Sequence, residues 1–570
     1  MTVEQTTYAT ALAQLTGPGS PFELRVEDVR GIPMRNFAAR PRSLREAVAR
    51  AGEHGEMEFL VQGERRVSYA QFARLVWGTA ANLRRCGLAP GDRIAILAYN
   101  SIDYVISVFA AASIGGIVVA LNGWWVEEEI DYALRDSGSR FLIVDDRLYP
   151  RVRHLTGKIP ALETVFFSGR GAPPAGTIAL DVLARPADEA PTDPIAEDDP
   201  FVILYTSGTT GRPKGCITTH RGTITQVMGI LLHGMVSTVL GEPSPLPSDG
   251  SRPTSLMTAP LFHVAGIHTG VCTAMAAGAK VVLSEGRFDP ERVLALIAKE
   301  RVTTWSAIPT MLHRVVYSPA VRSYDLSSLV RISFGGAPTA PETMARAREV
   351  FAVTPGLTNG YGMTETHGII MLSGGRDLGE NPTSVGRPAP FFDVRLVDRA
   401  GHEVADGELG EVLLRGPTVT PGYWNQPDAT AQAIRHGWLH TGDIAFRDVH
   451  GLYHLVDRVK DMIIRGGENV YCVEIENCLA EHPEIDEAAI IGVHDEELGE
   501  RVKAVVRRRP GSSLSAEDVR AHVAARLASF KVPEVIDFRD APLPRNPAGK
   551  LLKSELRGRE TGAFVPHLLG

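Results

Sequence analysis

The segment from Tyr205 to Gly215 reads YTSGTTGRPKG and has the composition of a loop that binds a polyphosphate. Glycine lacks a Cβ, so backbone N–H groups can approach an anion closely, while hydroxyls add donors and Lys214 adds a mobile positive charge. It is not a Walker loop, because Pro213 precedes the lysine and Gly215 follows it. The alternative is a flexible surface loop. The candidate phosphate-binding residues are Thr206, Ser207, Gly208, Thr209, Thr210 and Lys214.

An apolar run at 201–204 precedes this segment, so the loop is expected to leave the end of a buried strand, where α/β proteins place their ligands. Elsewhere a helical pattern over Tyr69–Cys86 alternates with short apolar runs at Arg93–Leu97 and Phe141–Val144, which predicts α/β layers. The predicted fold class is α/β. A large N-terminal α/β domain of several subdomains, one of them β-rich, is followed by a small mobile α+β C-terminal domain.

Four further segments follow the phosphate loop in a fixed order: NGYGMTE at 359–365, HTGD at 440–443, DRVKD at 457–461 and PRNPAGK at 544–550. Together with the loop they resemble the adenylate-forming enzymes, the superfamily of acyl-CoA synthetases, peptide-synthetase adenylation domains and luciferases. The likeness extends from about residue 60 to the C-terminus. It implies that a carboxylic acid attacks the α-phosphorus of ATP, giving an acyl-adenylate and pyrophosphate.

The resemblance also implies roles for individual residues in this first step, which needs Mg²⁺ and cations aimed at the developing charge. Glu365 and Thr206 are the expected metal ligands, with Thr364 nearby, although a lone glutamate is ordinarily a solvated charge. Lys550 is the expected catalytic lysine at the bridging oxygen. The segments expected to hold the adenine and the phosphates comprise Gly336, Ala337 and Pro338, together with Asn359, Gly360, Tyr361, Gly362, Met363 and Thr364.

Three more residues complete the expected nucleotide site. Asp443 is expected to accept hydrogen bonds from both ribose hydroxyls, and its alternative is an Asx turn beside Gly442. Arg458 is expected to contact ribose or phosphate, and Lys460 to absorb the rotation of a hinge between the two domains. Tyr361 offers a flat face for adenine, while an aromatic residue after a strand can equally be core.

The second step distinguishes the branches of the superfamily. RGGENV at 465–470 resembles the segment of the CoA ligases that lines the channel for the pantetheine arm, and Gly466 and Gly467 would let backbone lie against it. The alternative is a tight turn between strands. His263 matches the family position beside the acyl pocket, where a ring moves to open the thiol path; a satisfied core histidine is the other reading. We therefore predict an ATP-dependent acyl-CoA ligase, with an enzyme that loads a carrier protein as the alternative.

The acid is expected to have a hydrophobic body. By family position the acyl pocket is lined by 263–268, 305–309, 335–337 and 366–370, whose residues are mainly apolar or small. Trp305 is expected to shape the pocket, and His367 either contacts a polar acid or faces solvent. Fatty, aryl and steroid side-chain acids all remain open.

Length and composition limit the number of domains, the partners and the cellular location that the chain can have. The predicted domains are 1–456, which holds the ATP and acyl pockets, and 457–570, which holds the hinge, the CoA channel and the catalytic lysine. The net charge of −8 argues against nucleic-acid binding, and the five cysteines fit a reducing cytoplasm rather than a disulfide framework. No apolar run is expected to span a membrane. ATP, Mg²⁺ and CoA are the expected cofactors and co-substrates, and the oligomeric state is open, a homodimer included.

Finer organisation is also predicted. Residues 1–40 are expected to form a peripheral cap and 241–253 an exposed insertion. Strands at Val394–Val397 and Glu411–Leu414 predict a β-rich subdomain near 385–456, and helices are expected over Val473–Leu479 and Ala516–Leu527.

Overall fold

The structure is a computed structural model of the chain. It describes residues 7–206, 213–242, 252–335, 341–351, 356–458, 461–465, 468–495, 498–545 and 551–557. The chain forms two compact units, the first comprising Met1–Gly335, Thr343–Val394 and Leu414–Leu439, and the second Gly336–Glu342, Arg395–Leu413 and His440–Gly570. The predicted domain boundary at 456/457 stays a prediction.

The helices, in chain order, are α1 (Tyr8–Thr16), α2 (Leu44–Gly52), α3 (Tyr69–Arg85), α4 (Ile102–Ala112), α5 (Glu127–Ser137), α6 (His220–Val239), α7 (Val264–Gly266), α8 (Thr273–Ala276), α9 (Pro290–Glu300), α10 (Pro309–Val316), α11 (Pro341–Val350), α12 (Gly375–Glu380), α13 (Pro427–Ala433), α14 (Cys472–Ala480), α15 (Ala516–Ala524) and α16 (Lys553–Arg557).

The strands are β1 (Leu24–Val29), β2 (Ile32–Phe37), β3 (Glu58–Gln62), β4 (Arg65–Ser68), β5 (Arg93–Leu97), β6 (Ile117–Ala120), β7 (Phe141–Asp145), β8 (Thr164–Ser168), β9 (Ile178–Ala179), β10 (Pro200–Thr206), β11 (Lys214–Thr219), β12 (Thr254–Met257), β13 (Lys280–Leu283), β14 (Thr304–Ala307), β15 (Arg331–Gly335), β16 (Gly356–Met363), β17 (Gly368–Gly374), β18 (Arg387–Pro388), β19 (Asp393–Val397), β20 (Gly410–Arg415), β21 (Ile434–Arg435), β22 (Trp438–Arg447), β23 (Tyr453–Arg458), β24 (Ile463–Arg465), β25 (Glu468–Val470), β26 (Ile485–Asp495), β27 (Gly499–Arg508) and β28 (Val535–Arg539).

A seven-stranded sheet carries the phosphate-loop segment, with the strand order β11-β10-β6-β5-β7-β8-β9. Strands β5, β6 and β7 are almost continuously apolar, as expected of parallel strands covered on both faces. The predicted strands at 93–97, 141–144 and 201–204 are confirmed. At the edge of the sheet, β10 pairs in parallel with β6 and antiparallel with β11.

A nine-stranded sheet holds the NGYGMTE segment, in the order β18-β17-β16-β15-β14-β12-β13-β3-β4. Its strands β14, β15 and β16 run parallel, and β17 returns antiparallel to β16. Gly335 ends β15 so close to β16 that a Cβ there would lie 2.3 Å from the carbonyl oxygen of Gly360. Only glycine fits this approach, since real Cβ atoms do not come so near.

Helices cover these sheets. The helix predicted over 69–86 is confirmed as α3, which begins at a capping box between Ser68 and Gln71.

Among the helices that the structure describes, α6 alone is long and apolar enough by composition to cross a membrane, contrary to our expectation of none. More than half of its most apolar window is buried inside the protein, and the core helix of a soluble protein passes the same test.

A five-stranded sheet fulfils the prediction of a β-rich region. Its order is β19-β20-β22-β21, and β23 also pairs with β22. The predicted strands at 394–397 and 411–414 correspond to β19 and β20. Strands β22 and β23 are joined by antiparallel pairing in which Asp443 faces Arg458.

The chain after the hinge segment forms another five-stranded sheet, in the order β25-β24-β27-β26 with β28 paired to β27. Helices α14 and α15 contribute Ile475, Leu479, Val519 and Val523 to its core. The helix predicted over 473–479 is confirmed, and the one predicted over 516–527 ends earlier, at Ala524.

The first forty residues hold more regular structure than their weak periodicity predicted. Helix α1 is followed by the hairpin of β1 and β2. Of the predicted insertion at 241–253, residues 243–251 lie outside the described part of the chain.

Candidate active site

The phosphate-loop segment connects two neighbouring strands. Thr206 ends β10 and faces Lys214, which begins β11, and the Oγ1 of Thr206 lies 3.5 Å from the carbonyl oxygen of Lys214. Both residues are partly buried. The predicted residues Ser207, Gly208, Thr209 and Thr210 lie outside the described residues, so their contacts stay predictions.

The NGYGMTE segment forms the last part of β16 and a 3₁₀ turn over Thr364–Thr366. Asn359 donates from Nδ2 to the carbonyl oxygen of Ser384 at 3.2 Å. Tyr361 is largely buried, with 6% of its surface exposed. A Cβ at Gly362 would lie 2.1 Å from the carbonyl oxygen of Gly368, so this turn requires glycine for backbone contact.

Glu365, the predicted metal ligand, follows this strand and is held from two sides. Its carboxylate oxygen Oε1 accepts a hydrogen bond from the hydroxyl of Tyr423 at 2.8 Å. Its backbone carbonyl accepts the N–H of Thr420 at 2.7 Å. Carboxylate and hydroxyl oxygens are the ligands that Mg²⁺ prefers, so Glu365 with a threonine hydroxyl suits that ion.

Tyr423 also reaches the phosphate-loop lysine. The Nζ of Lys214 lies 5.1 Å from the centroid of the Tyr423 ring, within the range of a cation–π contact. The structure therefore brings Lys214 and Glu365, two predicted site residues, to the same aromatic side chain. Our sequence analysis missed Tyr423; the only signal was its place in the turn-rich run PGYWNQP.

His367 does not line an acyl pocket and does not face solvent, so both expectations for it are wrong. The ring is fully buried, Nδ1 donates to the carbonyl oxygen of Thr418 at 2.6 Å, and Nε2 accepts the N–H of Thr219 at 2.7 Å. Burial lowers its pKa to about 3, which keeps the ring neutral. Both nitrogens are used in holding three segments of the chain together.

Trp305 does not shape a pocket either. Its side chain has no exposed surface and belongs to a hydrophobic core with Leu312 and Phe334, and its Nε1 donates to Thr258 Oγ1 at 3.0 Å. A buried indole with its one donor satisfied is a structural residue.

His263 is one of two histidines of the predicted pocket that have a buried ring nitrogen without a partner among the described residues. It precedes α7, and burial lowers its pKa to about 4. Its Nε2 is buried and has no hydrogen-bond partner among the described residues. Nearby His268 lies in the π-helical turn Ile267–Cys272 with its Nε2 3.1 Å from Thr218 Oγ1. The Nδ1 of His268 is likewise buried without a partner among the described residues, so each histidine has one ring nitrogen available to a ligand.

Asp443 and Arg458 face each other across β22 and β23. The guanidinium Nε lies 2.8 Å from Asp443 Oδ1, and 6% of the aspartate side chain is exposed. Thr441 Oγ1 accepts the N–H of Asp443 at 3.1 Å, and Gly442 between them has a φ of +70° that favours glycine. Arg458, predicted to contact ribose or phosphate, here contacts the carboxylate predicted to hold the ribose.

The remaining predicted residues lie outside the described residues, so their roles stay predictions. Strands β24 and β25 stand on either side of the glycine pair, with Arg465 opposite Glu468. The segment of the predicted catalytic lysine is flanked by a bridge between Arg545 and Leu551. These residues are Gly336, Ala337, Pro338, Lys460, Gly466, Gly467 and Lys550.

The predicted phosphate-loop segment, a glutamate that shares the aromatic partner of its lysine and a separate aspartate–arginine pair match the plan of an adenylate-forming enzyme. The chain belongs to the family of AMP-binding enzymes, whose model matches residues 47–424, and the model of the AMP-binding enzyme C-terminal domain matches residues 474–550. Both domains of the family are therefore represented.

Characterised relatives cover most of the chain. A feruloyl-CoA synthase of Amycolatopsis sp is 38% identical over 87% of this chain and 94% of that protein. An indoleacetate–CoA ligase of Aromatoleum aromaticum is 36% identical over 87% of this chain and 93% of that protein. The solved amide bond synthetase McbA of Marinactinospora thermotolerans is 30% identical, with a TM-score of 0.79 over 91% of this chain and 100% of that chain. The chain is an AMP-forming acyl-CoA ligase, as predicted.

Proposed function

We propose that this ligase activates a compact, ring-bearing carboxylic acid and transfers it to CoA, with Mg²⁺ bound beside ATP. Support for a ring-bearing acid comes from the relatives, which are named for feruloyl and indoleacetate substrates. Support for a compact acid comes from how tightly α6 and β17 pack.

The narrow cleft between α6 and β17 is the observation that carries the choice of acid. It is lined by Gln226, Gly229, Ile230, Ile369 and Leu372, and its volume is about 20 Å³. A space of that size holds about one water molecule. Gly229 is pressed against Phe391, whose Cε1 would lie 2.6 Å from a Cβ at that position. We infer that the acyl group extends toward this cleft, so that a long aliphatic chain would have to separate the helix from the strand, whereas a short acid would not reach it.

His263 supplies the polar contact in this proposal. A buried nitrogen without a partner costs about 1–3 kcal/mol, so it gains from a ligand that hydrogen-bonds to it. Because its pKa is lowered to about 4, the ring is neutral near pH 7 and has one donor and one acceptor nitrogen. We infer that Nε2 contacts the acyl group or the incoming thiol.

The first step uses the charges around Tyr423. Lys214 and Thr206 would bind the phosphates, and Glu365 with the hydroxyl of Thr206 would hold Mg²⁺. When bound, the ion would offset negative charge on the phosphate oxygens. Lys550 would stabilise the bridging oxygen, and Asp443 would orient the ribose.

In the second step the adenylate carbonyl is attacked by the thiol of CoA and AMP leaves. Gly466 and Gly467 would line the path of the pantetheine arm, and the backbone at Lys460 would absorb the change between the two steps.

A cytoplasmic location remains our proposal, supported by five cysteines that are all free.

The experiment is pyrophosphate release by the purified enzyme with ATP and Mg²⁺, across matched cinnamic, arylacetic, C8 and C16 acids, each with and without CoA. Mass detection of the thioester identifies the product. We expect CoA-dependent turnover that is highest with the aryl acids. Faster turnover of the C16 acid would overturn the compact-acid proposal, and adenylate that accumulates with CoA present would indicate a carrier-loading enzyme.

A further inference from the structure

The segment around Tyr423 holds Glu365 at two points. The Tyr423 hydroxyl donates to Oε1 of the carboxylate at 2.8 Å, and the N–H of Thr420 donates to the carbonyl of the same residue at 2.7 Å. Side chain and backbone of Glu365 are thus fixed by residues three apart in one short segment. Fixing both reduces the rotamers that the carboxylate can adopt.

That segment is itself tied to the strand that begins with Lys214. The N–H of Trp424 donates to the carbonyl of Gly215 at 2.7 Å, and the N–H of Ile217 donates to the carbonyl of Gly422 at 3.1 Å. Thr420 adds a third bond, from Oγ1 to the carbonyl of Ile217 at 2.7 Å. Residues 420–424 therefore continue the sheet edge beside β11, which is why the segment can position two distant parts of the site.

The Tyr423 ring makes the second connection. Lys214 Nζ lies over one face, 5.1 Å from the centroid. The Tyr423 hydroxyl is the donor in its bond to Glu365, because a carboxylate oxygen accepts. One side chain thus contacts the phosphate-loop lysine through its ring and the metal carboxylate through its hydroxyl.

We propose that Tyr423 is a positioning residue that presents the second oxygen of Glu365 to Mg²⁺ and sets its distance from Lys214. Because the hydroxyl engages Oε1, Oε2 is the oxygen left to coordinate a metal. Partners of this kind orient metal-binding carboxylates, and removing one typically weakens metal binding by 10–100-fold. The proposal rests on the proposed role of Glu365 as a metal ligand.

The test is Tyr423→Phe, which removes the hydroxyl and keeps the ring over Lys214. Mn²⁺ binding to the enzyme–ATP complex, read by electron paramagnetic resonance, is expected to weaken by about 10-fold or more. The Mg²⁺ concentration for half-maximal pyrophosphate exchange should rise in parallel, while the KM for the acid changes less than about twofold. The matched control is Tyr69→Phe, which removes a buried hydroxyl bonded to the carbonyl of Ala279 at 2.8 Å, away from the site.

Two results would overturn the proposal in distinguishable ways. If Glu365→Gln weakens Mn²⁺ binding and Tyr423→Phe does not, Glu365 binds the metal without help from Tyr423. If neither variant alters Mn²⁺ binding, the metal assignment itself fails and takes the positioning role with it. The binding measurement needs no acid substrate, and thermal midpoints of all variants show whether each has folded.

Discussion

At the scale of single residues, burial decides what a histidine does in this enzyme. His367 and His220 are both fully buried with pKa values lowered to about 3, and each uses a ring nitrogen to accept a backbone N–H. His263 is partly buried, and its Nε2, like the Nε2 of His220, is buried without a partner among the described residues. Side-chain chemistry alone, read from sequence, does not separate these cases, because the partners come from distant segments.

The neutral state of His367 predicts a loss of stability in acid. Its folded pKa of about 3 lies below the ordinary 6.5, so the unfolded chain binds the extra proton as pH falls. The contribution is constant above 6.5 and is lost progressively between 6.5 and 3, by about 2 kcal/mol at pH 5. We expect His367→Gln to melt lower at pH 7.5 yet lose less of its thermal midpoint between pH 7.5 and 5. Equal losses in variant and wild type would show that this ring is not the cause.

His263→Phe tests whether the unpartnered Nε2 of His263 contacts a substrate. The ring volume is nearly preserved and no hydrogen bond to the described residues is lost, so the thermal midpoint should not fall. If Nε2 bonds to the acyl group or thiol, kcat/KM for thioester formation should drop by about tenfold, which corresponds to about 1.4 kcal/mol. Unchanged kinetics in an equally stable variant would assign His263 to packing.

At the scale of elements, the backbone of β15 lies against that of β16 at the wall of the predicted nucleotide site. We expect Gly335→Ala to push β15 away from Gly360, since its Cβ would lie 2.3 Å from that carbonyl oxygen. Overpacking of this kind costs about 1–3 kcal/mol, and adenylate formation should slow with it. Both can be followed by thermal melting and pyrophosphate exchange.

The matched control is Gly379→Ala, on an exposed helix position with nothing within 4 Å of the added Cβ. It should be neutral or slightly stabilising, because alanine loses less backbone freedom than glycine in a helix. If Gly335→Ala behaved like this control, the strands would be free to separate without consequence.

The elements also show what sequence could predict. The strands β5 and β7 and the helix α3 matched their apolar patterns, because buried strands and capped helices are specified locally. The loop segment, Glu365 and Asp443 were predicted from contiguous motifs. Tyr423 is 58 residues from Glu365, and its role arises only when residues 420–424 pair with β11. Trp305 was misplaced because whether a strand residue faces core or cavity depends on the layers packed against it.

At the scale of the whole molecule, one enzyme must perform two reactions with different needs. The segment of Lys550 is flanked by anchors within the second unit: Arg545 bridges to Leu551, and Lys553 Nζ lies 2.8 Å from Glu476 Oε1. The charge of Lys553 also acts on Asp457, whose pKa is raised by burial to about 6. A segment fixed at both ends suits a lysine that must be delivered to one step and withdrawn for the next.

The two reactions should therefore be separable by mutation. Lys550→Ala is expected to slow pyrophosphate release by about 100-fold or more, because it removes a charge aimed at the transition state. The same variant should convert supplied acyl-adenylate and CoA into thioester at nearly the wild-type rate. Gly467→Val should do the reverse, since a branched side chain beside the pantetheine arm would obstruct the thiol while leaving adenylation intact. Loss of both half-reactions in either variant would mean that Lys550 and Gly467 serve a single arrangement of the enzyme, and that no exchange between them is needed.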